Sequence, residues 1–255
     1  MMTDELTRSY PLSNERGRDV RAGHLRGWGL EFGDLSTSIQ SDHVWQLALK
    51  LAVERGTLLP VAKLANIYLI LKYAVPRTGA LNVIEFGSFK GGCAVFMATL
   101  LREWGREGKV LALDTYEGMP KTDATLDLHS EGDFRDCDEA GLRKFIADNN
   151  LSSQVELAKG LFDQTLPGII ASGMKFALAH CDCDIYSGVK YVCCEVDKYL
   201  IEGGHMVFDD PLFGSCLGAF TAVEEELIQD RRLYAEQVYP HLVYRLPPLP
   251  VDPVG

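Results

Sequence analysis

Residues 81–92 of the chain read LNVIEFGSFKGG, and residues 93–104 continue CAVFMATLLREW. A short apolar run carrying Glu85 passes into a loop with Gly87, Gly91 and Gly92, and then into an apolar, helix-competent segment. The pattern predicts strand, tight loop, helix. Glycines belong in such a loop where a ligand approaches the backbone or where a turn requires positive φ, although packing alone can also call for them. A dinucleotide site would set G-x-G-x-x-G after the strand, with free N–H groups facing a pyrophosphate. Here the order is E-x-G-x-x-x-G-G. A carboxylate on the strand repels a pyrophosphate and attracts an ammonium or sulfonium group. S-adenosylmethionine is therefore favoured over NAD.

Outward from this stretch the chain alternates. Strands are expected at 81–85, 109–114, 154–159, 174–181 and 205–208, with helices at 93–104, 138–149, 165–172, 187–200 and 218–229. KVLALD at 109–114 is too continuously apolar for a surface strand and reads as buried on both faces. Gly203 and Gly204 are read as the stop of the fourth of these helices. Two short strands, 234–238 and 242–246, split by Tyr239, Pro240 and His241, predict a terminal hairpin. Such alternation implies right-handed crossovers and a mostly parallel sheet with its binding site beyond the carboxyl ends of the strands. Seven strands with the last reversed is the α/β, Rossmann-like sheet of the class I methyltransferases.

Two helices precede the sheet. Ser41 is read as the N-cap of one, with Val44, Leu47, Ala48 and Leu51 on one face and Gly56 at its end. The other runs from Pro60 to Tyr73 and stops before Pro76. The expected organisation is an N-terminal arm and helical cap or lid over 1–75, a cofactor-binding domain over 76–247 and an extended tail over 248–255. Residues 1–40 read as an arm with a short ordered piece near 25–32.

At 255 residues and 47% hydrophobic content, one sizeable α/β domain with an appendage is the default. A formal charge of -11 has the wrong sign for a nucleic-acid or anionic-membrane partner. No signal-like segment opens the chain and no apolar run approaches the roughly 20 residues that span a bilayer. With seven cysteines, an odd number, a reduced cytoplasmic setting is expected. Cys181, Cys183, Cys193 and Cys194 form no C-x-x-C pair and read as small buried residues, not as a zinc site.

Several acids fall at the carboxyl edge of this sheet. Asp114 ends the second strand, one strand over from the glycine loop, where an acid can accept hydrogen bonds from ribose hydroxyls; capping of the next turn is the alternative. The fourth strand runs into Asp182 and Asp184, and the fifth into Asp209 and Asp210. Four carboxylates on neighbouring strand tips repel one another unless a cation neutralises them. All-oxygen ligation suits Mg²⁺. A dication lowers the pKa of an acceptor hydroxyl, and a carboxylate outside its shell can serve as general base. Asp182, Asp209 and Asp210 are assigned to the metal and Asp184 to the base, with Asp182 and Asp184 left interchangeable in that role. His180 and His205 read as satisfied core histidines.

EFGSFKGG, DTYEGMP, KGLFDQTLP, CDCDIYS and FDDP, in this order, resemble the macrocin O-methyltransferase family (TylF/MycF type) over roughly residues 80–245. The resemblance implies S-adenosylmethionine- and Mg²⁺-dependent O-methylation of a deoxysugar in natural-product biosynthesis. A nucleotide-linked sugar such as TDP-rhamnose is the preferred acceptor, a glycoside the other form, and a homo-oligomer is expected. It further implies that Glu85, Phe86, Gly87, Ser88, Gly91, Asp114, Thr115, Tyr116, Gly160, Phe162 and Asp182 meet the cofactor. The family commonly shows D-G-D where this chain has Cys183 between Asp182 and Asp184, and here Pro211 follows the last acid pair. Competing readings are a catechol or phenol O-methyltransferase, a non-catalytic cofactor-binding protein, and a NAD-dependent sugar enzyme. The last would want a third loop glycine and a Tyr-x-x-x-Lys pair.

Overall fold

A computed structural model describes residues 35–75 and 79–245. The ordered piece expected near 25–32 and the tail from 248 lie outside the described residues. The chain divides into two compact units, 1–47 and 48–255. In the first, a helix α1 (Leu35–Ser41) is followed by the opening turn of α2 (His43–Glu54), which runs on into the second. Ser41 is not the cap of α2. It closes α1, its hydroxyl donating to the Ser38 carbonyl, while the Asp42 carboxylate accepts from the Val44 N–H at 2.8 Å. Asp is as good a cap as Ser, and one residue of chain decided between them.

The second unit holds a single six-stranded sheet of order β3-β2-β1-β4-β5-β6. Its strands are β1 (Val83–Phe86), β2 (Val110–Asp114), β3 (Val155–Lys159), β4 (Phe176–Cys181), β5 (Leu200–Phe208) and β6 (Leu242–Arg245). All neighbours are parallel except β5 and β6. This is the class I methyltransferase arrangement with six strands instead of the seven expected. Residues 234–238 form no strand: only an isolated antiparallel bridge joins Gln237 to Val243, and Tyr234 is 92% exposed. With too little apolar surface turned inward, that segment has nothing to hold it as a sheet edge.

β1, β2 and β4 are buried along nearly their whole length, as continuous apolar runs in a sheet covered on both faces must be. The helices that cover them are α3 (Val61–Leu69, extended by a wider turn Ile70–Ala74), α4 (Gly92–Glu103), α5 (Glu139–Asp148), α6 (Phe162–Ile170), α7 (Tyr186–Glu195) and α8 (Leu217–Val223). α4 is buried from Gly92 to Leu101, and α5 is capped by the Asp138 carboxylate, which accepts from the Gly141 N–H. Gly203 and Gly204 do not stop a helix. They lie inside β5, where the register against β4 slips between Phe176 and Leu178, and glycine accommodates the irregularity. The preceding helix has already given way to a tight turn at Val196–Tyr199.

The strand order reverses between β1 and β4, so their carboxyl ends flank a crevice. Gly87 is what lets the two ends meet. Its φ is +85°, and a Cβ there would sit 1.8 Å from the Asp182 carbonyl oxygen. The other two loop glycines also serve chain packing: a Cβ on Gly91 would meet Leu142 at 2.5 Å and one on Gly92 would meet Thr57 at 2.6 Å. Gly87→Ala therefore combines a left-handed φ with a backbone clash. It is expected to cost at least about 2 kcal/mol, a fall in Tm of about 4 °C or more, read by thermal melting.

Candidate active site

A cavity of about 710 Å³ opens over the switch point. Its walls come from the Gly56–Pro60 loop, the glycine loop, the segments after β2, β3 and β4, and the turn after β5. The strand ladders carry the acids there: Asp182 N–H donates to the Phe86 carbonyl and Asp209 N–H to the Cys181 carbonyl, both at 2.9 Å. Consecutive parallel strands thus deliver their first post-strand residue to one rim.

On the β1–β2 side, Asp114 caps the turn that follows it, as the alternative reading expected. Its Oδ2 accepts from the Phe89 N–H and its Oδ1 from the Tyr116 N–H, each at 2.7 Å, while the side chain still lines the cavity. It braces the glycine loop and its own turn. Burial pushes its pKa up, against the pull of those N–H donors. Glu85 is 1% exposed; Ser88 Oγ donates to its Oε2 at 2.8 Å, and His180 Nδ1 lies 3.3 Å from its Oε1. His180 is Glu85's register partner across β1 and β4, which explains the pairing.

Glu85, Gly87, Ser88, Asp114, Thr115, Gly160, Phe162 and Asp182 all line the cavity. Phe86, Gly91 and Tyr116 do not. Phe86 is fully buried and packs edge-on behind Phe162 at 5.1 Å, Gly91 caps α4, and the Tyr116 hydroxyl donates to the Ala112 carbonyl at 3.1 Å. These three shape the wall from behind it.

The acid end divides in two. Asp182, Asp209 and Asp210 each offer an oxygen within 4.8 Å of the others, whereas Asp184 groups instead with His129 and Cys216. Burial pushes Asp182 well above the ordinary carboxylate range, and repulsion from Asp209 and Asp210 adds to it. Asp210 is likewise raised by burial and by Asp184 and Asp209, although its Oδ2 accepts from the N–H groups of Cys183 and Asp184 at 2.9 and 2.7 Å. Asp209 differs: burial opposes its charge, but His241, His180 and Lys63 hold its carboxyl below the ordinary value. Burial pushes the Asp184 carboxyl up, with His129 opposing. Asp184 sits at φ +58°, its Oδ1 3.5 Å from Cys216 Sγ and 3.8 Å from His129 Nε2.

The trio suits a hard dication, since the donors are all carboxylate oxygens and two of the three are raised by burial and by the charge of their neighbours. His180 and His205 are buried as expected but only half satisfied: His180 Nε2 and His205 Nδ1 have no hydrogen-bond partner. Three site residues escape a sequence reading. Lys63 and His241 bond the two oxygens of Asp209, and His129 faces Asp184. Lys63 left one trace, a lysine at helical spacing from Ile67 on an apolar face. His129 and His241 stand in segments without periodicity and left none.

Fold and cavity together define a methyltransferase-like α/β domain with its ligand crevice at the sheet's switch point. The chain belongs to the macrocin-O-methyltransferase (TylF) family, whose pattern matches residues 61–231. A 4'-O-methyltransferase of Streptomyces olivaceus acting on 8-demethyl-8-(2,3-dimethoxy-alpha-L-rhamnosyl)-tetracenomycin-C is 28% identical over 147 residues, 54% of this chain and 56% of that one. The demethyldecarbamoylnovobiocin O-methyltransferase of Streptomyces niveus is 24% identical over 178 residues, 66% of each chain. The chain thus spans between about half and two thirds of these relatives' lengths. CalS11, a calicheamicin methyltransferase, has a similar structure, with a TM-score of 0.60 at 17% identity over 91% of this chain and 98% of its own. At that identity the likeness shows the fold alone. No helix among the described residues is long and apolar enough to cross a membrane.

The raised acids fix a pH dependence. Asp182 and Asp210 bind a proton more tightly folded than unfolded, so the stability they contribute is present at low pH and is lost as pH rises through their folded values. His241 acts in the opposite sense: burial lowers it from 6.5 to about 4, so its cost appears as pH falls through that window. Thermal melts in chelator are expected to show Tm declining from weakly acid toward alkaline pH. Asp182→Asn, which mimics the neutral acid, flattens the decline; an unchanged slope in that variant would refute the assignment.

Proposed function

We propose that the protein transfers a methyl group from S-adenosylmethionine to a deoxysugar hydroxyl, with Mg²⁺ held by Asp182, Asp209 and Asp210. The observation that carries the reading is the acid trio on the floor of a cavity whose other side is the glycine loop and Asp114. Bound S-adenosylmethionine supplies an electrophilic methyl group, and a dication at the trio lowers the pKa of a neighbouring hydroxyl.

The chain's own residues do the rest. Asp114, already fixed by two N–H donors, keeps lone pairs for the ribose hydroxyls. Glu85 and Asp182 line the part of the cavity assigned to the cationic end of the cofactor, and Gly160, with φ +142°, lets it approach the backbone after β3. Asp184, outside the trio and raised by burial, takes the acceptor's proton onto its carboxylate. His129 Nε2 faces that carboxylate at 3.8 Å. Leu58, Leu59, Pro60, Met119, Phe134 and Phe213 give the remaining wall an apolar character that excludes water from the reacting atoms. The segment Gly56–Pro60 is the part of the N-terminal region we assign to covering the cavity.

The same wall bears on the form of the acceptor. Among the described residues, seven acids line the cavity against Lys90, Lys121 and His129, and Lys90 is engaged by Asp136. Without a dication at the trio a pyrophosphate would meet a repulsive field there, and a neutral glycoside is the form of acceptor that needs no such offset.

Asp184→Asn is expected to lower kcat by about 10²–10⁴ while S-adenosylmethionine affinity, measured by calorimetry, stays within a few-fold. Excess EDTA should abolish methylation of a rhamnoside acceptor and Mg²⁺ should restore it. Full turnover in chelator would rule out the metal-assisted mechanism.

A further inference from the structure

Beneath the acid trio lies a cation that the reaction as proposed does not use. Lys63, on α3, is 4% exposed, and its ammonium donates to Asp209 Oδ2 at 2.5 Å and to the Asp209 carbonyl at 2.9 Å. The same nitrogen lies 4.0 Å from the centre of the Phe213 ring, which forms part of the cavity wall. The other Asp209 oxygen, Oδ1, is 3.1 Å from His241 Nε2. His241 is anchored in turn: its Nδ1 meets Asn66 Nδ2 at 3.0 Å, and Asn66 Oδ1 accepts from Gln237 Nε2 at 2.8 Å. Lys63 and Asn66 stand one helical turn apart on α3, so a single helix supplies both supports of one acid.

We propose that Lys63 is a built-in counter-cation that competes with the dication for Asp209, lowering metal affinity while positioning Asp209 and Phe213. The proposal rests on the metal reading of the trio. In the metal-free protein the ammonium neutralises one of three crowded carboxylates, which a buried cluster of like charges requires. When a dication enters, it meets a fixed positive charge one carboxylate away and finds one oxygen of Asp209 already bonded. Asp182 and Asp210 then carry most of the ligation, and the ion is held more loosely than three unopposed carboxylates would hold it. Because the ammonium also stacks on Phe213, its place fixes the wall next to the acids.

The test is Mn²⁺ binding to the full chain, followed by the free-ion resonance signal and by calorimetry at about pH 8, where carboxylate protonation competes least. Lys63→Met keeps the length and the contact with Phe213 but removes the charge; it is expected to bind Mn²⁺ at least about tenfold more tightly than the parent, with a lower metal-free Tm. Lys63→Arg keeps the charge and should stay within about threefold. Lys63→Gln provides a second neutral variant if Lys63→Met does not fold. The turnover of both neutral variants should fall through a raised KM for the acceptor. Neutral variants that fold yet bind Mn²⁺ with parental or weaker affinity would overturn the competition. A parent chain that binds no Mn²⁺ would instead overturn the metal reading, and Asp182→Asn serves as the reference for that outcome.

Discussion

Negative charge gathered at the tips of two parallel strands is the constraint on which this structure turns. β4 and β5 each end in a pair of aspartates, and the ladder that aligns the strands also brings Asp182, Asp209 and Asp210 together. Like charges in a half-dry crevice are unfavourable unless something opposite meets them. The fold answers in three ways: Lys63 and His241 at Asp209, backbone N–H groups at Asp210, and burial that raises the pKa of Asp182 and Asp210 toward their neutral forms. Each answer is a different degree of neutralisation, so the three acids are chemically unlike one another despite sharing a rim.

Much of the surrounding fold follows from keeping that rim in place. Glu85, buried one strand over, is tied to Ser88 and His180, so the glycine loop and β4 are coupled beneath the cavity floor. Asp114 pins the same loop from the other side through Phe89. The glycines are small because neighbouring chain segments occupy the space a Cβ would need, which is a packing demand as much as a ligand demand. One loop therefore bridges the Asp114 side of the crevice and the acid side.

The alternation of apolar runs with helix-competent segments was enough to recover all six strands, the reversed last one included, because buried parallel strands have no polar face to blur them. The acids were legible for the same reason: a strand that ends in D-x-D or D-D has only one place to put them. What was hidden depended on long-range partners. The Tyr234–Val238 segment reads as a strand by composition but finds no apolar surface to pack on, and the glycines of β5 read as a stop because a register slip is invisible without the strand beside it. Lys63 and His241 reach Asp209 from 146 and 32 residues away, separations that no local pattern encodes. Phe86, Gly91 and Tyr116 sit in the right motifs but one layer behind the surface, a distinction that motif order does not carry.

The contact between the Gly87 position and the Asp182 carbonyl has a consequence for remodelling. Since the glycine loop and the tip of β4 touch backbone to backbone, neither can be redrawn while the other stays still. A laboratory attempt to graft a bulkier loop would displace the aspartate that follows β4 and so disturb the acid trio as well. The glycine loop and the acid rim are in that sense a single piece of the scaffold.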